Sequence, residues 1–433
     1  MFESLGSLLS AFKLPDLRRR IFYVFGMFGL FVAGLHIPVP NIDRAAMERL
    51  VTHGGALFGL FDVFSGGAFR KFSIFAMSIT PYINASIIFQ LLGVASERIK
   101  QLAREGAAGQ RKISQYTRYL TIALALVQSF GLCHLLRSQG ILQVGSPIQI
   151  LSIAITLTAG TACLMWMANQ ITDKGIGNGV SLIIFVGICA RLPVDVIMTW
   201  KAMLAGAHSW YNVLALATIF VATVMAVIYM QQGQRKIPIQ HAKRVVGTRV
   251  YGGASTSLPL RVNTAGVIPI IFAISLSLLP AQIFQFAQGI LREEWRPTAQ
   301  AAVDMFTPHA TAFGSGLYFL LVVLFTYFYT AVVMNVPELT DNMKKTGSYV
   351  PGIRPGRPTA DYIDKVLTRI TLAGAIFLGV IALLQYYVPD LTGVRSFTLV
   401  GGTSLLIVVG VALETMQQIE AHLVMRHYEG FIK

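Results

Sequence analysis

The residues of this chain that could do chemistry are few, and their spacing argues against catalysis. His36, His208 and His309 fall at the ends of apolar stretches or in the connections between them, and no His/Asp/Ser grouping occurs inside those stretches. HExxH, GxSxG and Walker sequences are absent. Gly175, Gly177 and Gly179 in DKGIGNG invite a phosphate-loop reading, but the Walker lysine is missing and no strand pattern precedes them. Cys133, Cys163 and Cys189 lie within or at the edge of apolar stretches without ligand spacing, which suits packing better than a metal site or a disulfide framework. Nearly all acids sit at the ends of apolar stretches or between them; the exceptions are Asp62 and Glu414, which gives ion-coupled transport little to work with. The expectation is a chain without enzymatic activity, metal or cofactor.

The elements that position these residues are set by hydropathy. Of 433 residues, 54% are hydrophobic and 13% charged, with a mean hydropathy of +0.62. A soluble globular chain carries about 25% charged residues, so this is a polytopic membrane protein. Ten candidate spans are legible, at 21–37, 72–93, 117–137, 148–171, 179–197, 211–230, 264–288, 313–336, 366–388 and 399–420. The first is followed by IPVP rather than a small-residue cleavage site and is expected to be retained. With the N-terminus in the cytoplasm, most of the 35 Lys and Arg fall on the inner side, which predicts both termini inside. Lys13 and Arg18–Arg20 follow an amphipathic run, Leu5, Leu8, Leu9 and Phe12, that suits either an anionic lipid surface or a simple anchor.

Leu57 to Leu92, LFGLFDVFSGGAFRKFSIFAMSITPYINASIIFQLL, reads as a broken membrane helix. Its first piece, Leu57 to Phe64, is too short to cross a bilayer, which takes about 20 helical residues. Ser65, Gly66 and Gly67 interrupt it, Arg70 and Lys71 place charge at the break, and Phe72 to Leu92 is expected to resume as a spanning segment. Irregular backbone at membrane depth needs a protein or aqueous surrounding, so the break points to a cavity.

Two inner loops are long. Gln231 to Asn263 alternates apolar and basic positions as a projecting hairpin does, and carries Arg235, Lys236, Lys243, Arg244 and Arg249. In Pro337 to Asp364, prolines and glycines hold Arg354 and Arg357 in a structured turn. Both suit docking to a large, negatively charged or mixed partner. Five spans on each side of residue 200 make an inverted repeat possible, with a site at the interface of the halves; a secondary transporter would share that arithmetic.

The chain is similar to the SecY family, the pore subunits of protein-conducting channels. The resemblance runs from about Pro15 to Tyr428 and rests on FSGGAFRKFSIFAMSITPYINASIIFQLL, RKISQYTRYLT, MANQITDKGIGNGVSLIIF, KRVVGTRVYGGASTSLPLRVNTAGVIPIIFA, VPGIRPGRPTADYIDKVLTRIT and GGTSLLIVVG. It implies an all-α fold of ten transmembrane helices, in two pseudo-symmetric inverted halves, 1–200 and 201–433, around an hourglass pore. A plug at about 57–69 would involve Leu57, Phe58, Leu60, Phe61, Asp62, Phe64, Ser65, Gly66 and Gly67, with the glycines as its hinge. A constricting apolar ring would be formed by Ile79, Ile83, Val180, Ile184, Ile271 and Ile407. Spans two and three would face spans seven and eight across a lateral gate. The implied partners are small SecE-like and SecG-like subunits, a SecA-like motor ATPase that meets Arg354, translating ribosomes, signal peptides and translocating polypeptides, with anionic lipid around them. The implied location is a bacterial cytoplasmic membrane. Asn41 and Val180 depart from the family's usual Gly and Ile. Ile79 and Ile83, like Val180 and Ile184, are four apart and would each share a helical face.

Overall fold

A computed structural model of the chain describes all residues except 1–11, 13, 54–57, 59–61, 63–64, 143–145, 208, 242–243, 247–248, 252–254, 289–295, 309, 395–401 and 430–433. The amphipathic residues Leu5, Leu8 and Leu9, and the expected site residues Leu57, Leu60, Phe61, Phe64 and Lys243, lie outside the described residues.

Each expected apolar span overlaps a helix, the second only from Thr80 onward. In chain order these are α1 (Pro15–Gly34), α2 (Arg44–His53), α3 (Ala68–Lys71), α4 (Thr80–Ala95), α5 (Glu97–Arg104), α6 (Ala107–Ser138), α7 (Pro147–Lys174), α8 (Gly179–Leu204) and α9 (Trp210–Gln232). After a strand-containing loop come α10 (Ile268–Gln288), α11 (Arg296–Phe306), α12 (Ala312–Val333), α13 (Val336–Lys345), α14 (Arg357–Thr392) and α15 (Thr403–Glu429). Among the described residues, seven helices are long and apolar enough to cross a membrane: α6, α7, α8, α9, α14, the one beginning at Ala312 and the one beginning at Thr403. The apolar α4 and α10 are shorter, and α1 carries Asp16 and Arg18–Arg20 in its first turns.

Local signals explain where helices begin. Asn178 Oδ1 accepts from the amides of Val180 (3.0 Å) and Ser181 (3.5 Å), capping α8, and Thr311 Oγ1 accepts from Gly314 N at 3.0 Å, capping α12. Pro15, Pro81 and Pro147 stand in the first turns of α1, α4 and α7, where no amide donor is missed. The short DKGIGNG turn makes α7 and α8 packed neighbours, as expected.

The second span departs from the expectation of a helix over 72–93. Helix α4 starts only at Thr80, and residues 72–79 are a chain of turns in which Phe72 and Ser78 have φ of 44° and 53°. Left-handed backbone at non-glycine residues is costly and persists only where neighbours hold it. Here Val39 N donates to Phe72 O (2.9 Å) and Ile74 N to Ile37 O (3.0 Å), so the loop after α1 supplies the missing bonds. Asn41 in that loop has a φ of 65°, a conformation Asn tolerates better than most residues and one that glycine takes freely.

Helix α8 also exceeds its expected end at 197, running to Leu204. Asp195, near the expected end, is thus well inside the helix and 2% exposed, a buried acid in an apolar helix that joins Asp62 and Glu414.

The two sequence halves meet along two seams. On one, α10 packs against both α4 and α6; on the other, α8 packs against α15. A continuous apolar cluster of residues from α1, α4, α7, α8, α10, α12, α14 and α15 fills the space between. Large apolar side chains such as Phe22, Phe25, Ile148, Trp200 and Tyr229 are exposed on the outer faces, and only 17% of the apolar window of α9 is buried, as befits lipid-facing surface.

Gly160 of α7 lies against the irregular stretch so closely that a Cβ there would sit 1.9 Å from Ile74 O. Backbone cannot yield as a flexible side chain can. Gly160→Ala should therefore lower the thermal unfolding midpoint of the purified protein, by an amount equivalent to roughly 1–3 kcal/mol; a surface control, Gly29→Ala, which meets nothing within 4 Å, should not.

Candidate pore and docking surface

A cavity of about 550 Å³ lies between residues of both halves. Ile83 of α4, Val180 and Ile184 of α8, and Ile271 and Phe272 of α10 contribute apolar lining. Gln90, Asn169, Asn178 and Gln418 contribute polar lining, with Arg20 and His422 as well. Four of the six expected ring residues thus converge from three helices onto one space. Ile79 and Ile407 do not line it; they are 1% and 0% exposed and lie in the apolar cluster that also contains Ile83, Ile184 and Ile271. Val180 packs against that cluster half-buried. Ile79 precedes α4 with φ −94° and ψ 6°, so it and Ile83 are joined by the first helical turn rather than by a continuous helix face.

Such a lining has no fixed arrangement of donors that would select one solute. Its aliphatic tips can close around a flexible chain or, when empty, resist water and ions.

Beyond the apolar cluster lies a group of charges that sequence reading largely missed. Asp62 is 1% exposed. Its Oδ2 accepts from Arg191 Nη1 of α8 at 2.8 Å and stands 3.5 Å from Arg70 Nε, while its Oδ1 accepts from Arg70 N at 2.9 Å. Arg191 Nε donates in turn to Asp195 Oδ1 at 3.2 Å. The signal for Arg191 and Asp195 was available, since opposite charges four apart share a helix face. What no spacing could reveal was their meeting with Asp62, 129 positions away.

Residues 65–67, just before α3, form a turn. Gly67 N donates to Asp62 O (2.8 Å), Ser65 Oγ donates to Asp62 O (3.2 Å), and Phe69 N donates to Ser65 Oγ (3.0 Å). Gly66 and Gly67 have φ of 66° and 82°, and a Cβ on Gly66 would lie 2.7 Å from the Cα of Gly187 in α8. Phe58 is buried and stacks on Phe69 with centroids 6.0 Å apart.

At one end of the molecule the two long loops join. Strand β1 (Gln234–His241) pairs antiparallel with β4 (Ser255–Arg261), while β2 (Arg244–Val246) pairs with β3 (Arg249–Tyr251), which is the expected projecting hairpin. The unexpected part is β5 (Ser348–Tyr349) of the second loop, which adds to the free edge of β1. Ser348 Oγ lies 2.9 Å from His241 Nδ1, and Tyr349 OH donates to Gln240 Oε1 at 3.1 Å. Arg235 and Lys236 project from β1, and Arg354 lies in the turn that Thr359 Oγ1 closes by donating to Arg354 O at 2.8 Å. Arg357 opens α14. Arg244 and Arg249 fall in strands β2 and β3. Among the described residues no group of three or more His, Cys, Asp or Glu could hold a metal ion.

Comparison with known proteins is consistent across sequence and fold. A family model described as SecY matches residues 73–416. Protein translocase subunit SecY of Streptomyces scabiei is 43% identical over 440 residues, covering 98% of each chain. The same subunit of Mycobacterium tuberculosis is 42% identical over 448 residues, covering 99% of this chain and 100% of its own. A solved protein-conducting channel superposes with a TM-score of 0.69 at 16% identity, covering 94% of this chain and 93% of its own. A SecY whose plug domain is described as stabilising the closed state and maintaining a membrane seal gives 0.66 at 16%, covering 94% and 92%. Sec61 from a canine ribosome–channel complex gives 0.66 at 16%, covering 94% and 93%. At 16% identity the structural likeness speaks to fold.

Because Ser348 and His241 face each other across paired strands, cysteines at these two positions should be joined by a short thiol cross-linker in intact membranes. The joined form is read as a shift in electrophoretic mobility after cleavage between the loops. Absence of the joined form would mean that the loops are not paired.

Proposed function

The chain belongs to the SecY family, and on that premise we propose that it is the pore subunit of a protein translocation channel in a bacterial cytoplasmic membrane. It passes unfolded secretory polypeptides and releases hydrophobic segments sideways into lipid. The observation that carries this reading is the cavity whose apolar lining comes from Ile83, Val180, Ile184 and Ile271, on helices of both halves.

In this reading ten helices cross the membrane, five from 1–200 and five from 201–433, with both termini in the cytoplasm. Ile79 and Ile407 complete the ring from behind the cavity lining. The stretch ending at Phe69 is the plug. The seam between α4, α6 and α10 is the side door, closed in the present packing. Release through it needs no selective site. Leu, Ile, Phe or Val at a helix centre gains about 0.3–0.6 kcal/mol in the membrane while Asp, Lys or Arg costs about 2.5–3.5, so a segment offered lipid and water partitions by composition.

The three-stranded sheet and its basic residues serve as the docking surface for a SecA-like motor and for ribosomes; a ribosome-bound relative of the same fold supports the latter. SecE-like and SecG-like subunits and anionic lipid surround the channel, and signal peptides engage the side door. Because no Walker sequence is present, the energy for transport comes from the partner.

Vesicles reconstituted with the chain and its small partners should import a secretory polypeptide only when motor and ATP are present. Saturable uptake of a small solute without a motor would instead make it a secondary transporter. Ile83→Asn or Ile407→Asn should raise resting ion conductance in planar bilayers; unchanged conductance would remove these residues from the ring. Arg354→Glu should abolish motor-driven export yet spare integration of hydrophobic clients, measured in the same vesicles. Equal loss of both would mean misfolding.

A further inference from the structure

We propose that Asp62 and Arg191 form a releasable latch that positions the Asp62–Lys71 segment against α8, and that Asp195 is the counter-ion which makes release affordable. The inference rests on the channel reading, and adds to it the residues that hold the channel shut.

Four charges meet in this group, two carboxylates and two guanidiniums, and they divide by element. Asp62 and Arg70 belong to one short segment, tied locally by Arg70 N donating to Asp62 Oδ1 at 2.9 Å and by Gly67 N donating to Asp62 O at 2.8 Å. Arg191 and Asp195 belong to α8, tied by the 3.2 Å bond from Arg191 Nε to Asp195 Oδ1. Between the two pairs stands one charged hydrogen bond, Arg191 Nη1 to Asp62 Oδ2 at 2.8 Å. If the segment moves off α8, Asp62 leaves with Arg70, and Arg191 stays with Asp195. Each ion pair that separates is neutral.

That division sets the energetics. Removing one partner of a buried ion pair is strongly destabilising because it strands an uncompensated charge. Here separation strands none, so the contact is strong enough to hold and still reversible. The packing agrees with release: at one point where the segment meets α8, Gly66 lies against Gly187, backbone on backbone. Gly187, Arg191 and Asp195 follow Val180 and Ile184 along one buried stripe of α8. Hence the helix that carries two ring residues also carries the latch.

The test is resting ion conductance in planar bilayers, with polypeptide translocation measured beside it, for Asp62→Asn, Asp195→Asn and Arg191→Gln. Asp62→Asn keeps the shape, leaves Arg191 satisfied by Asp195 and removes the charged contact, so conductance should rise by roughly tenfold or more. Arg191→Gln removes the other partner and should raise it as well, which provides the measurement if Asp62→Asn does not accumulate. Asp195→Asn has the opposite sign. Arg191 then has Asp62 as its remaining charged partner among these four residues, opening strands its guanidinium, and resting conductance should stay at or below wild type while translocation slows.

Two carboxylates on one guanidinium thus move the channel in opposite directions, which general loosening of the fold would not do. A rise in both Asp62→Asn and Asp195→Asn, or wild-type conductance in both Asp62→Asn and Arg191→Gln, would overturn the latch. Failure of the channel reading would look different: the wild-type chain itself would move no polypeptide under any motor.

Discussion

Backbone that leaves regular helix inside a bilayer must find its hydrogen bonds within the protein, because lipid offers none. The described stretch from Ser65 to Ile79 obeys this constraint, and its neighbours are arranged to satisfy it. The loop after α1 lends a carbonyl at Ile37 and an amide at Val39. Thr161 Oγ1 of α7 donates to Ser78 O at 3.4 Å, and Gly160 gives Ile74 room to approach. The stacked rings of Phe31 and Phe75, with centroids 5.9 Å apart, press the same stretch onto α1. The irregular segment is therefore held by α1, α7 and α8 together, rather than hung on the end of α4.

Helix α8 joins the cavity to that segment. Its lower turns present Val180 and Ile184 to the cavity, its middle offers a bare glycine, and its upper turns hold Arg191 and Asp195. A helix is stiff along its axis, so side chains on one stripe keep their spacing even when neighbours shift. The cavity-lining residues Val180 and Ile184 and the charged Arg191 consequently lie on one helix. The other seam is built differently: α10 and α4 share the continuous apolar cluster, with no ion pair among the described residues joining them.

The sheet β4–β1–β5 has a comparable economy. An exposed strand edge invites unwanted pairing. Covering β1 with two residues of the second loop removes part of that edge and fixes the two basic loops relative to each other. A partner therefore meets one surface instead of two independent arms.

Much of this was legible in the chain alone. Long apolar stretches and their separation follow from transfer energies that each segment feels by itself, and alternation in Gln231–Asn263 marked a hairpin for the same local reason. The four-residue spacing of Val180 and Ile184 likewise set a shared face before any neighbour was known. What the sequence could not decide was every contact made across distance: that residues 72–79 stay irregular because α1's loop and α7 satisfy them, that Ser348 and Tyr349 extend β1, and that Asp62 meets Arg191. An apolar run such as FSIFAMSI scores as helix because local propensity and hydropathy cannot register hydrogen bonds such as those between Phe72 and Val39 and between Ile74 and Ile37, supplied by the loop after α1. A lone aspartate between phenylalanines likewise reads as an anomaly until packing brings a guanidinium to it. Composition determined that this chain lives in a membrane and what its helices are; only tertiary structure decided where those helices are interrupted and which charges close the interruption, because both depend on partners that the chain itself brings together only when folded.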